Sequence, residues 1–397
     1  MRVLQICSKP PLPEIDGGCK AMNNITQGLL LNGVEVKLLT ISTYKHPFKK
    51  EDFSKDYVAK TGVENIYIKT KVNVGEAFLN LFSKKSYNVE RFYVKEFEDL
   101  IVRVVAEKDF DIVLIESLYV SKYINIIRKV TKAKIVYRAH NIESEIWDRN
   151  ASKAKGLRKI YLKLLARKLK KYETDVLNQF DGIAAITEKD KSNFIRMGCK
   201  IPIEVFPFGI DILHYETNGA LEKKSVFHLG SMDWHPNVNG LKWFFRNVWN
   251  EVVKNFPDVE FTLAGKDIPD WLMKHEQKNV NVIGSVKNAN DFINQHSIMI
   301  VPLFVASGMR IKIIEAMALQ KLVVATSIAA EGIAYKDGEN IVIADTIEDF
   351  TKAIIKYLSN DKEQKRIAIN GRELVESSYD NLKIVNSLVM FFKQIMN

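Results

Sequence analysis

At 397 residues the chain exceeds what one ordinary core holds, and two domains of typical size are expected. A hydrophobic fraction of 47% with 27% charged residues excludes a disordered chain, and no segment offers the roughly 18 consecutive apolar residues that a membrane span needs. The net charge of +10 is uneven, with residues 1–205 carrying 37 Lys and Arg against 25 Asp and Glu, but no nucleic-acid-binding motif accompanies it and no nucleic-acid partner is expected.

The chain opens on a strand-like run, Arg2 to Cys7, without the basic region, long apolar stretch and small-residue cleavage site of a secretory signal, which points to the cytoplasm. Cys7, Cys19 and Cys199 are widely spaced and odd in number, so free thiols are expected rather than a disulfide framework or a zinc site. Asp16-Gly17-Gly18 follows the first strand as a glycine loop. Further apolar, β-branched runs at 34–40, 112–115, 134–137 and 182–186 alternate with longer amphipathic stretches, the rhythm of a parallel sheet covered by helices on both faces. Asp109-Phe110-Asp111 has a spacing used elsewhere for divalent metals, but it precedes a buried run and reads as a helix-to-strand junction.

Arg138-Ala139-His140-Asn141-Ile142-Glu143 follows the strand at 134–137. The stretch 153–171 reads as a basic helix with Leu157, Ile160, Tyr161, Leu164, Leu165 and Leu169 on one stripe. A helix packed into the domain through that stripe, with its lysines in water, is the plainer expectation. Peripheral contact with an anionic membrane is the second, and the two are compatible.

A Pro-, Gly- and Asp-containing stretch, 206–211, ends the first rhythm, and Val226-Phe227-His228-Leu229 begins another, continued at 259–264, 281–283, 298–301 and 322–325. The boundary is expected near 208–223. The expected organisation is a first domain over 1–207, a second over 208–379, and a last helix over 380–397 that packs back on the first. Each half has the length of a doubly wound α/β domain, which binds ligands at the carboxyl ends of its strands.

The richest stretch runs from Ile300 to Ala318: a strand, the small-residue loop Ser307-Gly308-Met309, then a helix. Backbone amides at such a helix start approach a phosphate closely, and Arg310 and Lys312 bring full positive charge there. Glu315 lies about 60° round the helix from Lys312, where a carboxylate can accept ribose hydroxyls. With this basic helix start and no credible acidic cluster beside it, no metal cofactor is expected.

This stretch, with 321–326 and Ala330-Glu331-Gly332-Ile333 after it, resembles the donor-binding signature of glycosyltransferase family 4. The glycine loop, 138–143, Phe208-Gly209-Ile210-Asp211 and Gly230-Ser231-Met232-Asp233-Trp234 match in the same order, over nearly the whole chain. The resemblance implies a GT-B fold, two Rossmann-like doubly wound parallel-sheet domains facing a central cleft. It implies a retaining enzyme that moves a sugar from a nucleoside-diphosphate-sugar donor to a sugar, glycolipid or polysaccharide acceptor, in cell-surface polysaccharide or glycolipid synthesis. Gly17, Gly18, Ser307, Gly308, Met309, Arg310, Lys312 and Glu315 would bind the donor, His140, Arg310 and Lys312 would be catalytic, and Asn141 and Glu143 would lie on the acceptor or sugar side.

Four positions depart from the family pattern. Asn141 replaces the aspartate of a His-Asp pair. Ser307 replaces the first of two acidic residues seven apart, and Ser231 and Pro236 replace an arginine and lysine that hold the diphosphate. Arg310 and Lys312 are the expected substitutes, as in a branch with a Gly-x-Arg-x-Lys helix start. A nucleotide-sugar 2-epimerase of the same fold and a non-catalytic nucleotide-sugar-binding protein are the alternatives.

Overall fold

Val3, Leu4, Ile6 and Cys7 are buried on both sides of the first strand, as in a sheet covered on both faces. That strand, β1 (Arg2–Cys7), sits in a seven-stranded sheet with β2 (Glu35–Ser42), β3 (Glu64–Tyr67), β4 (Ile112–Glu116), β5 (Lys134–Ala139), β6 (Gly182–Ala185) and β7 (Ile203–Val205). All its neighbours pair in parallel, in the order β3-β2-β1-β4-β5-β6-β7. A second parallel sheet contains β8 (Ser225–Leu229), β9 (Glu260–Ala264), β10 (Val280–Gly284), β11 (Ile298–Val301), β12 (Leu322–Ala325) and β13 (Val342–Ile343), ordered β10-β9-β8-β11-β12-β13. The computed structural model describes residues 1–70, 80, 83, 85–217, 224–274, 276–305 and 308–397. These form two units, Met1–Gly209 with Asn381–Asn397, and Ile210–Asp380.

Two layers flank the first sheet. On one face α1 (Gly17–Leu31) and α6 (Asn381–Met396) lie together: Ile25 and Leu29 of the former and Val385, Leu388 and Phe392 of the latter pack on Val3, Val36, Ile112 and Leu114. The spacing 385, 388, 392 is one stripe of a helix. On the other face, Leu4, Ile6, Val113, Ile115 and Tyr137 meet α3 (Gly156–Leu177) through Leu169 and Leu177, among other helices. In the second unit Phe244 of α4 (His235–Phe244) packs with Trp249, Phe261 and Phe350. No described helix is long and apolar enough to cross a membrane.

The basic segment differs from its expected form. A helix, α2 (Glu143–Lys153), ends inside it, and α3 begins at Gly156, whose φ of 58° turns the chain. Leu165 and Leu169 are in the core, but Leu157 is 85% and Ile160 67% exposed. The stripe therefore divides, because only the part of α3 beyond the hairpin tip lies over the sheet. Asp109 and Asp111 form a junction: Asp111 Oδ2 accepts the Arg2 amide at 2.7 Å and the Arg2 guanidinium donates to the Asp109 carbonyl at 2.7 Å.

Phe392 is fully buried, and its truncation to alanine should cost about 3–5 kcal/mol. Urea unfolding would check this, and an unchanged midpoint would show that α6 carries none of the core.

Candidate functional site

In each sheet the strand order reverses once, between β1 and β4 and between β8 and β11. Crossovers part in opposite directions there, leaving a crevice beyond the carboxyl ends of the strands. Both crevices hold polar groups that the core cannot.

In the first unit a cavity of about 420 Å³ lies there, lined by Gly17, Gly18, His140, Asn141 and Glu143, among others. Asp16 caps α1, accepting the Cys19 amide at 2.9 Å. Lys9 Nζ lies 2.7 Å from both Asp16 oxygens and His46 Nε2 lies 3.0 Å from one. Burial alone would raise this carboxyl, but His46 and Lys9 outweigh it and hold it far below the usual range. Asp16, Cys19 and His46 could offer metal-ligand atoms within 4.8 Å of one another, but an ion there would have to displace the Lys9 ammonium.

Behind the cavity lies the partner that the sequence did not disclose. Glu116, fully buried at the end of β4, accepts from Gln5 Nε2 at 2.9 Å and lies 2.8 Å from His140 Nε2. Arg138 Nε is 3.8 Å away and equally buried. Arg138 and Glu116 balance in charge, and a His140 Nε2–H donated to the carboxylate leaves Nδ1 for another partner. The missing aspartate at Asn141 is thus matched by a carboxylate from a different strand.

Glu143 starts α2, whose N-cap residue Ile142 has no capping side chain. Glu173 of α3 caps it instead, accepting the Glu143 amide at 3.0 Å and the Ser144 amide at 3.1 Å. Burial pushes this carboxyl up to about 7. Glu143 accepts the Tyr119 hydroxyl at 2.6 Å, and burial raises its carboxyl too.

In the second unit the loop after β11 leads through Gly308 (φ 75°) and Met309 into α5 (Ile311–Ala318). Ser307 lies outside the described residues. Arg310 is the N-cap of α5 and not part of its first turn. Its guanidinium donates to the Gly308 carbonyl and lies 5.4 Å from the Trp234 ring centroid, so it braces the loop as well as carrying charge. Burial lowers it to about 10.

Lys312 turns toward the sheet. Its Nζ is 3.1 Å from Asn237 Oδ1 and 3.4 Å from His228 Nε2. His228 Nδ1 bonds the Ile300 carbonyl at 2.8 Å, so that nitrogen carries the proton and Nε2 presents a lone pair. Burial, then Lys312, hold His228 neutral, well below its ordinary range. Burial, then Arg310, lower Lys312 to about 7 against the opposing pull of Glu315. A Cβ at position 230 would lie 2.5 Å from Lys312 Nζ and 2.9 Å from Asn237 Nδ2, so a side chain there would displace the end of Lys312 from its place. Glu315, one turn on, accepts the Tyr215 hydroxyl at 3.0 Å.

The structure thus gathers Gly17, Gly18, His140, Asn141 and Glu143 around one cavity, and Gly308, Met309, Arg310, Lys312 and Glu315 around the start of α5. Sequence reasoning missed Glu116, Asn237 and His228. Each had a faint signal: an acid closing an apolar run, the residue after the noted Pro236, and a histidine inside a strand.

Residues 16–212 match the family model described as Glycosyltransferase Family 4, and residues 223–360 that described as Glycosyl transferases group 1. The chain is 26% identical, over 98% of both chains, to a protein of Klebsiella pneumoniae described as an uncharacterized 44.6 kDa protein in a cps region. Among solved structures it resembles sucrose-phosphate synthase from Thermosynechococcus elongatus, with a TM-score of 0.70, 12% identity, and 100% and 99% of the two chains covered. It also resembles Anabaena HepE in complex with UDP, with a TM-score of 0.68, 13% identity, and 99% and 100% covered. TarM is similar at a TM-score of 0.68, 12% identity, and 98% of both chains covered. At such identities these structures speak to the fold, which is GT-B.

The Glu173 cap gives a pH signature. With its folded value raised to about 7, above the ordinary carboxylate value, its contribution to stability is full below the unfolded value and is lost as pH rises to about 7. Glu173→Gln should flatten that fall, on the order of 2–3 kcal/mol between pH 4.5 and 7, in urea unfolding across that range. An unaltered slope would assign the pH dependence elsewhere.

Proposed function

As this chain belongs to the group 1 glycosyltransferases of family 4, we propose that it transfers a sugar from a nucleoside-diphosphate sugar to an acceptor hydroxyl with retention of configuration. The observation that carries the donor half is Lys312. An ammonium sequestered among neutral groups, Asn237 and His228, lacks a counter-ion at contact distance among the described residues, at the start of a helix whose amides favour an anion. A diphosphate supplies that counter-ion. Glu315, on the same helix, takes the ribose hydroxyls.

Breaking the bond from sugar C1 to diphosphate separates a cationic sugar from an anionic leaving group. Lys312, Arg310 and the α5 amides take up the developing phosphate charge by preorganised electrostatics, and no divalent cation is needed. The acceptor hydroxyl attacks from the face the diphosphate leaves, and the departing phosphate receives its proton. His140, fixed by Glu116, orients the transferred sugar, and Asn141 and Glu143 face the acceptor. HepE is described in complex with UDP and with UDP-glucose, which makes uridine donors the first to test. The product in this reading is a cell-surface polysaccharide or glycolipid.

We also propose that the α2–α3 tip contacts an anionic membrane surface. Leu157 and Ile160 stand exposed at the α2–α3 tip, and Lys153, Lys155, Arg158, Lys159 and Lys163 around them have no carboxylate partner among the described residues. Two apolar side chains to enter the headgroup layer, ringed by unpaired cations, are what an interfacial contact requires.

The donor reading is tested by UDP calorimetry in buffers of different ionisation enthalpy, with turnover assayed in excess EDTA. Lys312 is largely neutral above pH 7, and a bound diphosphate raises its affinity for a proton. Binding at pH 8 should therefore take up a proton, and affinity should fall as pH rises. Lys312→Met should abolish the uptake and lower kcat on the order of 10²-fold. Unchanged UDP binding and turnover in that variant would place the phosphates elsewhere, and activity lost in EDTA but restored by magnesium or manganese would overturn the metal-free account.

The membrane reading is tested by co-sedimentation with phosphatidylglycerol-containing and neutral vesicles. Binding should favour the anionic vesicles, weaken as salt screens charge over about 10 Å at 0.1 M, and drop in Leu157→Ser/Ile160→Ser and in Lys155→Glu/Lys159→Glu/Lys163→Glu. Equal sedimentation with both vesicle types would exclude it.

A further inference from the structure

The donor's diphosphate is assigned to Lys312 and Arg310, yet the cavity of the first unit holds cations of its own that this assignment leaves without a task. Its carboxylates are all engaged: Asp16 by Lys9 and His46, Glu116 by Gln5, His140 and Arg138, Glu143 by the Tyr119 hydroxyl. Arg91 and Lys45 also line the cavity, and neither has a carboxylate partner among the described residues. Arg91 follows the short helix Tyr87–Glu90. Its guanidinium carbon lies 5.5 Å from the centroid of the Phe92 ring, and that ring stacks on Tyr119 at 5.1 Å. Arg91 Nε is shielded from solvent and has no hydrogen-bond acceptor among the described residues. A shielded guanidinium donor is costly to leave unmatched, and its planar fork suits the paired oxygens of a phosphate or carboxylate. Lys45, exposed at the rim, adds a second positive charge.

We propose that the acceptor carries a fixed oxyanion, a phosphate ester or a carboxylate, and that Arg91 with Lys45 binds it in the first-unit cavity. The Tyr119–Glu143 pair stands beside Arg91, so an acceptor anchored by its charge would present a hydroxyl to Glu143 as hydrogen-bond acceptor. This rests on the glycosyl-transfer reading of that cavity. It also gives the surplus charge a specific use: the anion selects the acceptor while the neutral remainder is free to vary.

Calorimetry with four probes tests it: glucose 1-phosphate, glucuronic acid, dihexanoyl phosphatidic acid, and methyl glucoside as the neutral control. At least one oxyanion should bind the wild type on the order of 10-fold more tightly than methyl glucoside. Which one binds separates a sugar phosphate, a uronic acid and a lipid headgroup. Arg91→Gln should remove that preference, Lys45→Gln should reduce it, and Arg91→Lys should keep part of it, with UDP binding unchanged in all three. The proposal is overturned if no oxyanion outbinds the neutral sugar, if Arg91→Gln retains the preference, or if Arg91→Gln weakens UDP as much as the oxyanion, which would make Arg91 a donor residue. UDP binding and donor hydrolysis by the wild type report separately on the glycosyl-transfer reading, so its failure would show there and not in the oxyanion series.

Discussion

A parallel sheet that grows outward in both directions from an interior strand has to part its crossovers somewhere, and that constraint decides where the candidate site residues of this protein sit. β1 and β8 are those interior strands. Side chains that close the neighbouring strands emerge into the parting: Glu116 from β4, His140 just beyond β5, the loop to α5 beyond β11. Helices that begin at the same edge turn their free amides toward it. Neither crevice had to be carved out of a core, because the topology prevents the core from extending there.

The two crevices handle buried charge in opposite ways. In the first, Glu116 meets Arg138 and His140, so its charge is cancelled within the protein and the cluster serves to fix a ring. In the second, the close partners of Lys312 among the described residues are a carbonyl oxygen and a neutral imidazole, and the cost of its charge shows as a strong depression. A cancelled pair is a rigid support, whereas an uncancelled ammonium is a demand for an anion. This difference in electrostatics, more than any difference in shape, separates the parts that the two units can take in chemistry.

The strands were legible because the runs at 112–115, 298–301 and 322–325 are apolar and β-branched, the composition of strands buried on both faces. Three of the four edge strands were not, although the fourth was read at 281–283: Glu64–Tyr67, Ile203–Val205 and Val342–Ile343 are two to four residues long, and two of these three carry an acidic residue. The loop-to-helix stretch after 301 was legible as a motif, but the geometry of Arg310 was not, since whether a residue caps a helix or begins it depends on backbone angles that residue spacing does not record. Glu116 escaped because its bond to His140 spans 24 positions and two strands, which no local pattern records. Leu157 and Ile160 were assigned to a stripe by periodicity alone, and periodicity does not say where a helix leaves its sheet.

The last helix completes a layer whose other members come from the beginning of the chain. Phe392, Leu388 and Val385 close over Val3, Ile112 and Leu114, with all of Ile210–Asp380 between them in sequence. During synthesis, the strands of the first unit leave the ribosome long before α6 exists, and the part of the sheet face that α1 leaves uncovered waits while the second unit, continuous in sequence, is made and can close on its own. The first unit is then the last to be completed, although it is the first to be begun. For that interval the nascent chain exposes the kind of surface that chaperones bind and that aggregation exploits.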